Sequence, residues 1–357
     1  MKILKFLFLL PLLAIGAQAL EPKIVMKPEA SLKNGLYYVK GKLYDGTLKM
    51  LRYSVEDLYD VNAMGMVYPR LKPLPPTLIR EIDVQGGTAV RYRDYFDGRD
   101  KPSNEYPLKN GVREGTAKHY HADSGALMGE SEYKNDVRDG RYRRYYFDEG
   151  GALKQEGTYK AGKREGVFTD YYVSGEVSAR SPYAGGLRNG EDIDYYKSGA
   201  VEETGEYKND RKNGVWKRFY ENGKTRVVEN YKDGEKDGVA REYYPSGKLR
   251  GEYEYKDGHQ TGAGLDYYES GAPAAKVMFK NGRYHGLYEE YHENGKLKAR
   301  VMFEDGLETG TAKHYYANGK LEAQGEFERG RLILAKKYDE SGKLISDKSD
   351  KNGLPRE

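Results

Sequence analysis

From residue 166 to residue 310 a glycine returns every 24 residues, at Gly166, Gly190, Gly214, Gly238, Gly262, Gly286 and Gly310. The pattern around it returns as well, and upstream it stands at Gly140 and Gly115 with one or two residues inserted. A fixed period of this length dictates a repeat architecture, in which each unit buries its apolar face only against its neighbours. With the glycine as position one, positions six and seven are aromatic pairs. They read Tyr171-Tyr172, Tyr195-Tyr196, Phe219-Tyr220, Tyr243-Tyr244, Tyr267-Tyr268 and Tyr315-Tyr316. Position ten is Gly in seven units, from Gly175 to Gly319, and position eighteen is aromatic from Tyr183 and Tyr207 through Phe279, Phe303 and Phe327.

Each unit reads as two short strands. In "KLKARVMF", residues 296–303, Leu297, Ala299, Val301 and Phe303 alternate with Lys296, Lys298, Arg300 and Met302, which is the strand period of two. Gly and Asx residues stand where turns need them. The first turn is "ENG", "ANG", "VSG", "KSG", "PSG" or "ESG". Ser tolerates a positive φ poorly, so a type I turn followed by a left-handed Gly, a three-residue loop with a bulge, suits these sequences better than a two-residue turn. The "KDG" and "KNG" segments at 232–234, 256–258 and 280–282 supply the second turn. That loop pairs position six with position twelve, so the first tyrosine shares a face with Leu249, Leu297 and Leu321. Position seven then falls beside position five, which is charged in Arg144, Asp170, Asp194, Arg218, Glu242, Asp266 and Glu290 and is His119 or His314 in the other two units. The expectation is that positions five and seven face water. Small residues at positions fourteen and sixteen (Gly251, Ala275, Ala299, Ala323, Gly325) leave room for a neighbouring tyrosine ring.

The expected fold class is therefore all-β: an elongated single-sheet antiparallel meander of tandem 24-residue β-hairpins, with nine repeats over 115–333. At about 4.8 Å per strand, nine units make a twisted ribbon of roughly 90 Å. Residues 20–114 fit the pattern less well. "NGLYYVKGKLYDG" (34–46) and "VRYRDYFDG" (90–98) look like decayed units, "RYSVEDLYDVNAMG" (52–65) suggests a short helix, and "PRLKPLPPT" (69–77) an extended Pro-rich connector. Residues 334–357 are a partial repeat and a charged tail, as expected where an array must cap its edges.

The first residues, "MKILKFLFLLPLLAIGAQAL", have the three-part layout of a secretory signal peptide, with cleavage expected after Ala19. The apolar run is short for a spanning helix and is interrupted by Pro11. The chain is thus expected to be exported, to the periplasm or outside the cell, and with no cysteine it carries no disulfide. Its 60 basic and 56 acidic residues nearly cancel, which gives neither a nucleic-acid footprint nor attraction to an anionic membrane surface.

The segments "GVWKRFYENGKTRVVENYKDG" (214–234) and "GLYEEYHENGKLKARVMFEDG" (286–306) resemble the MORN-repeat variant of bacterial YwqK-like proteins. The resemblance covers about 115–345 of this chain. It implies β-hairpin arrays without catalytic residues, antitoxin-like roles, and scaffolding of other proteins. A cytosolic antitoxin needs no signal peptide, so an immunity-like partner would act on a toxin outside the cytoplasm. The "YYxNGKL" turn is also similar to choline-binding surface repeats, but those are shorter and depend on recurrent Trp, whereas Trp216 is the one Trp here.

Catalytic chemistry needs a unique constellation, and the sequence offers no P-loop, G-x-S-x-G or H-E-x-x-H motif. No enzyme activity, cofactor or metal is expected. His119 and His121 stand two apart on a strand, but His314 and His292 fill the same repeat positions singly. The binding reading rests on the position-seven row, Tyr146, Tyr172, Tyr196, Tyr220, Tyr244, Tyr268 and Tyr316, as anchors for a protein partner, tyrosine amid charge being a common interface type. The bland alternative is that these rings only cover the sheet and stack along it. The primary function expected is an exported protein-binding scaffold. A cell-wall or glycan-binding module is the alternative, and a homo-oligomer through the apolar face stays open.

Overall fold

In the computed structural model, residues 99–349 are described without interruption. N-terminal to them the structure describes 23–27, 31–33, 36–39, 42–43, 46–53, 55–61, 67–73, 77–86 and 88–96. The signal-peptide segment and the last residues of the tail lie outside the described residues. Every regular element among those described is a β-strand, and the sheets are antiparallel. The chain forms two compact units, Met1–Val137 and Arg138–Glu357. The division falls one repeat later than the boundary at 114/115 suggested by the sequence.

In the first unit, Gly46–Tyr53, Thr77–Gln85, Thr88–Tyr95 and Pro102–Lys109 are successive antiparallel neighbours, and Lys23–Lys27 pairs with Gly46–Tyr53. Leu48, Ile82 and Val84 are buried at its centre, with Met50, Ala89 and Tyr92 against them. Two expectations are corrected here. Among the described residues of 52–65 there is no helix: Val55–Val61 is a strand paired with Val67–Pro73. Its Val55-Leu58-Val61 spacing imitates a helical stripe, but β-branched and aromatic residues favour extension. The Pro-rich stretch is accordingly more than a connector. A two-stranded sheet has only edge strands, where Pro69 and Pro73 are tolerated. The segment 90–98 does enter a hairpin, Thr88–Tyr95 with Pro102–Lys109.

The second unit is a run of hairpins in which each strand pairs with the next in sequence. The first turn has the geometry its Ser residues require. In Tyr244-Pro245-Ser246-Gly247, the Gly247 N–H donates to Tyr244 O at 2.8 Å and the Tyr244 N–H to Lys248 O at 2.8 Å. Gly247 sits at φ +90°, so the left-handed residue of the three-residue loop is glycine. The register then shifts by one, and Tyr243 faces Leu249, as Tyr291 faces Leu297 and Tyr315 faces Leu321. The second turn is a two-residue loop with both centres at positive φ, such as Asp257 (+47°) and Gly258 (+79°) between paired Lys256 and His259. The anchor glycines also take positive φ, Gly238 at +109° for example, where a second irregularity breaks the ladder.

The buried face is not the one the charges suggested. Position three, which shares its face with position five, carries the core. Phe168, Asp192, Trp216, Ala240 and Ala312 are at most 6% exposed there. Each position-three residue is paired with position sixteen: Phe168 with Ser181, Asp192 with Gly205, Trp216 with Glu229, Ala240 with Tyr253, Tyr288 with Val301. Bulky and small residues alternate along this file, so large rings lie over small neighbours. A Cβ on Gly157 would stand 2.6 Å from the Phe168 ring, and one on Gly205 would overlap the indole of Trp216. The room expected at the small positions exists: the Tyr253 ring lies against Gly251, and Phe168 and Trp216 of the following repeats fill the equivalent space at Gly157 and Gly205. The opposite face presents Val167, Val215, Leu287, Met278 and Met302, between 37% and 55% exposed. Charge at position five misled because several of those side chains find partners on the sheet. Lys298 Nζ lies 2.6 Å from Glu290, Gln155 donates to Asp170 at 2.8 Å, and the Tyr253 hydroxyl donates to Asp266.

Candidate functional site

The predicted tyrosine row is a hydrogen-bond ladder running along the edge of the first turns. Each phenol at position seven donates to the main-chain carbonyl at position six of the next repeat. Tyr146 reaches Tyr171 O at 3.0 Å, Tyr172 reaches Tyr195 O at 2.6 Å and Tyr196 reaches Phe219 O at 2.7 Å. Tyr220, Tyr244 and Tyr268 continue to the carbonyls of Tyr243, Tyr267 and Tyr291 at 2.6–2.7 Å, and Tyr316 reaches Tyr338 O at 2.8 Å. Where the tyrosine is replaced, His292 keeps the rung, its Nε2 lying 2.8 Å from Tyr315 O. The rest of the turn motif joins in. Lys224, Lys248, Lys296 and Lys320 each place Nζ 2.7–3.0 Å from a turn carbonyl one repeat on. Asn294 Nδ2 donates to Ala317 O at 2.8 Å.

These tyrosines are half-buried, and their hydroxyls are committed to the array. What they offer a partner is ring surface. At the far end the ladder stops at Asp339, a residue without a phenol in position seven, whose Oδ1 accepts from the Ser341 and Lys343 N–H groups of its own turn. The opposite edge is stitched by backbone and side chains: the Gly234, Gly258, Gly282 and Gly306 N–H groups donate across repeats to Lys212, Lys236, Gln260 and Tyr284 carbonyls at 2.8–2.9 Å, and the Ala161 and Gly185 N–H groups donate to Asp139 and Glu165 carboxylates at 3.0 and 2.9 Å.

Neighbouring rungs frame a cleft that the sequence reading did not single out. Tyr172 and Tyr196 line it together with Asp194, Glu202, Glu203, Arg218 and Arg226, around about 220 Å³. Burial, with Asp192, Glu203 and Glu202 close by, pushes the Asp194 carboxyl up to about 6. Its neighbour Asp192 is 5% exposed and occupies a core position that is apolar or glycine in the other repeats, with Oδ2 buried and unpartnered. The usable signal in the sequence was the break at position three, Asp192 where Phe168 and Trp216 stand in the flanking units. By contrast Glu229, also buried, is satisfied by Lys236 at 2.6 Å and Arg218 at 3.4 Å.

The His119 and His121 rings contact separate partners. His119 Nδ1 lies 2.6 Å from Asn104 Oδ1, and His121 Nδ1 lies 3.1 Å from Ser124 Oγ. Among the described residues no group of three or more His, Cys, Asp or Glu side chains is placed to hold a metal ion.

Fold and edges together define a β-hairpin repeat protein whose signature residues tie one hairpin to the next. Four segments, 212–233, 236–257, 284–305 and 308–329, match the MORN repeat variant. In the unmatched unit between the two pairs, Ala272-Pro273 replaces the Lys-Leu that follows the turn glycine in its neighbours. No curated protein matches the chain. Among solved structures, the crystal structure of TcdB2-TccC3-Cdc42 is similar at 10% identity and a TM-score of 0.17, over 90% of this chain and 20% of that one. The crystal structure of TcdB2-TccC3 is similar at 10% identity and a TM-score of 0.17, over 88% and 21%. The chain spans about a fifth of the length of these structures, and at such TM-scores the likeness carries no argument.

Proposed function

We propose that this chain is a non-enzymatic repeat scaffold that binds another protein. The observation that carries the reading is the outward file on the face opposite the core. Leu287 and Met302 are directly paired, and Met278 packs beside Gly286, yet the three are 37%, 42% and 38% exposed. An apolar file that the array does not use for its own packing is a contact surface. Methionine adapts well to a partner's shape.

Export through the leader, and an immunity-like role against a toxin acting in the envelope, complete the proposal. The leader and the absence of cysteine support it. A glycan-binding role has less support, because Trp216 is 3% exposed and stacked within the sheet. Affinity purification of the tagged full chain from fractionated cells, beside a Met278→Glu/Met302→Glu variant, tests the reading. The expected outcome is a stoichiometric protein partner in the exported fraction that the variant loses. A partner retained by the variant, or a chain confined to the cytoplasm, overturns the surface or the export part respectively.

A further inference from the structure

Positions five and thirteen of one repeat meet at the bulge beside the first turn, where Lys298 Nζ stands 2.6 Å from Glu290. The same two places hold Glu242 with Arg250, Asp266 with Ala274, and His314 with Glu322. Like charges meet there in the repeat beginning at Gly140, Arg144 with Lys154, and two consecutive repeats do so with opposite signs. The repeat beginning at Gly190 puts Asp194 with Glu202, and the repeat beginning at Gly214 puts Arg218 with Arg226. All four side chains, joined by Glu203, line the single cleft of about 220 Å³.

The opposed charges do not cancel each other. Glu203 takes Lys212 at 2.9 Å, and Arg218 reaches Glu229 at 3.4 Å. Among the described residues no ion pair joins Asp194 or Glu202 to either arginine. Two buried polar atoms on these strands make no hydrogen bond: Nε of Arg218, a residue of the basic wall, and Oδ2 of Asp192, two residues before Asp194 on the same strand. A buried polar atom without a hydrogen-bond partner is costly and calls for an explanation.

We infer that this cleft binds a short zwitterion of dipeptide size, its ammonium on the Asp194–Glu202 wall and its carboxylate on the Arg218–Arg226 wall. The acidic wall belongs to strands Gly190–Tyr195 and Val201–Lys208, and the basic wall to the next two, Arg211–Phe219 and Thr225–Lys232. At about 4.8 Å per strand the walls stand roughly 5–10 Å apart. An extended dipeptide spans about 7 Å, which matches, whereas the charges of a single amino acid lie too close together. The cleft has room for about seven waters at ~30 Å³ each, which such a ligand displaces. Tyr172 and Tyr196, their hydroxyls tied to Tyr195 O and Phe219 O, make fixed apolar walls for the ligand's side chains. The inference is independent of the scaffold reading, which uses the opposite face.

Calorimetric titration of the full chain with L-alanyl-L-alanine, its N-acetyl form and its C-terminal amide tests it. The expected result is saturable binding of the free dipeptide, weakened at least about tenfold by blocking either end. Asp194→Asn/Glu202→Gln should abolish the penalty for N-acetylation, and Arg226→Gln the penalty for amidation. Trp216 fluorescence confirms that each variant keeps the array intact. Absence of saturable binding at about 10 mM dipeptide overturns the inference. So does equal binding of free and blocked forms, or sensitivity to one blocked end alone.

Discussion

The indole of Trp216 lies against Gly205, so close that a Cβ there would overlap the ring. The ring is held by its Nε1–H, which donates to Glu206 O at 3.2 Å, and by Lys212, whose Nζ lies 3.7 Å above it. Gly205→Ala should therefore destabilise the second unit by about 1–3 kcal/mol, the usual cost of overpacking a filled site. Trp216 is the sole tryptophan, so denaturant unfolding followed by its emission reads this directly. An unchanged midpoint would show that the ring moves aside freely.

Tyr196→Phe removes one rung, the 2.7 Å bond to Phe219 O, and keeps the ring. The expected loss is about 1 kcal/mol. Tyr196→Phe and Tyr268→Phe, three repeats apart, should add in the denaturation midpoint, because each unit touches only its neighbours. A double variant no weaker than either single one would contradict the ladder.

The Asp194 contribution to stability should fall as pH rises from about 4 toward 6. Asp194 is held up to about 6 by burial and by Asp192, so over this interval the folded chain binds a proton that the unfolded chain has released. Asp170 is raised by burial as well and acts in the same direction. Asp194→Asn should flatten the pH dependence and stabilise the chain above pH 6. Thermal melts of both proteins across this range provide the check.

Glu229 is 7% exposed and depends on Lys236 at 2.6 Å. Burial pushes its carboxyl up, but Lys236, Arg218 and the Tyr231 hydroxyl outweigh that and hold it below the ordinary range. Lys236→Met should cost about 1–3 kcal/mol at neutral pH by stranding a buried charge. The loss should shrink in acid as Glu229 takes a proton. Chemical denaturation at two pH values distinguishes this from a simple packing loss.

Much of this architecture was legible in the residues themselves. A Ser in the first turn forbids two consecutive left-handed centres, and Gly247 duly takes φ +90° alone, while Asp257-Gly258 takes both. The tyrosine row was visible too, but its use was not. Whether Tyr196 meets a partner or the Phe219 carbonyl depends on how one hairpin lies against the next. The cleft stayed hidden because Asp194 looks like any charged position five until Glu202 and Arg218 are placed around it.

Period, strand alternation and turn type are local demands on φ, ψ and side-chain spacing, and the order of residues alone determined them. The choice of buried face belonged to the tertiary structure. Each repeat crosses two irregularities, at its anchor glycine and beside its first turn, and alternation cannot be counted through them without the paired strand. Only the assembled sheet shows that Trp216, Phe168 and the acid Asp192 share one covered file while Met302 is left outside.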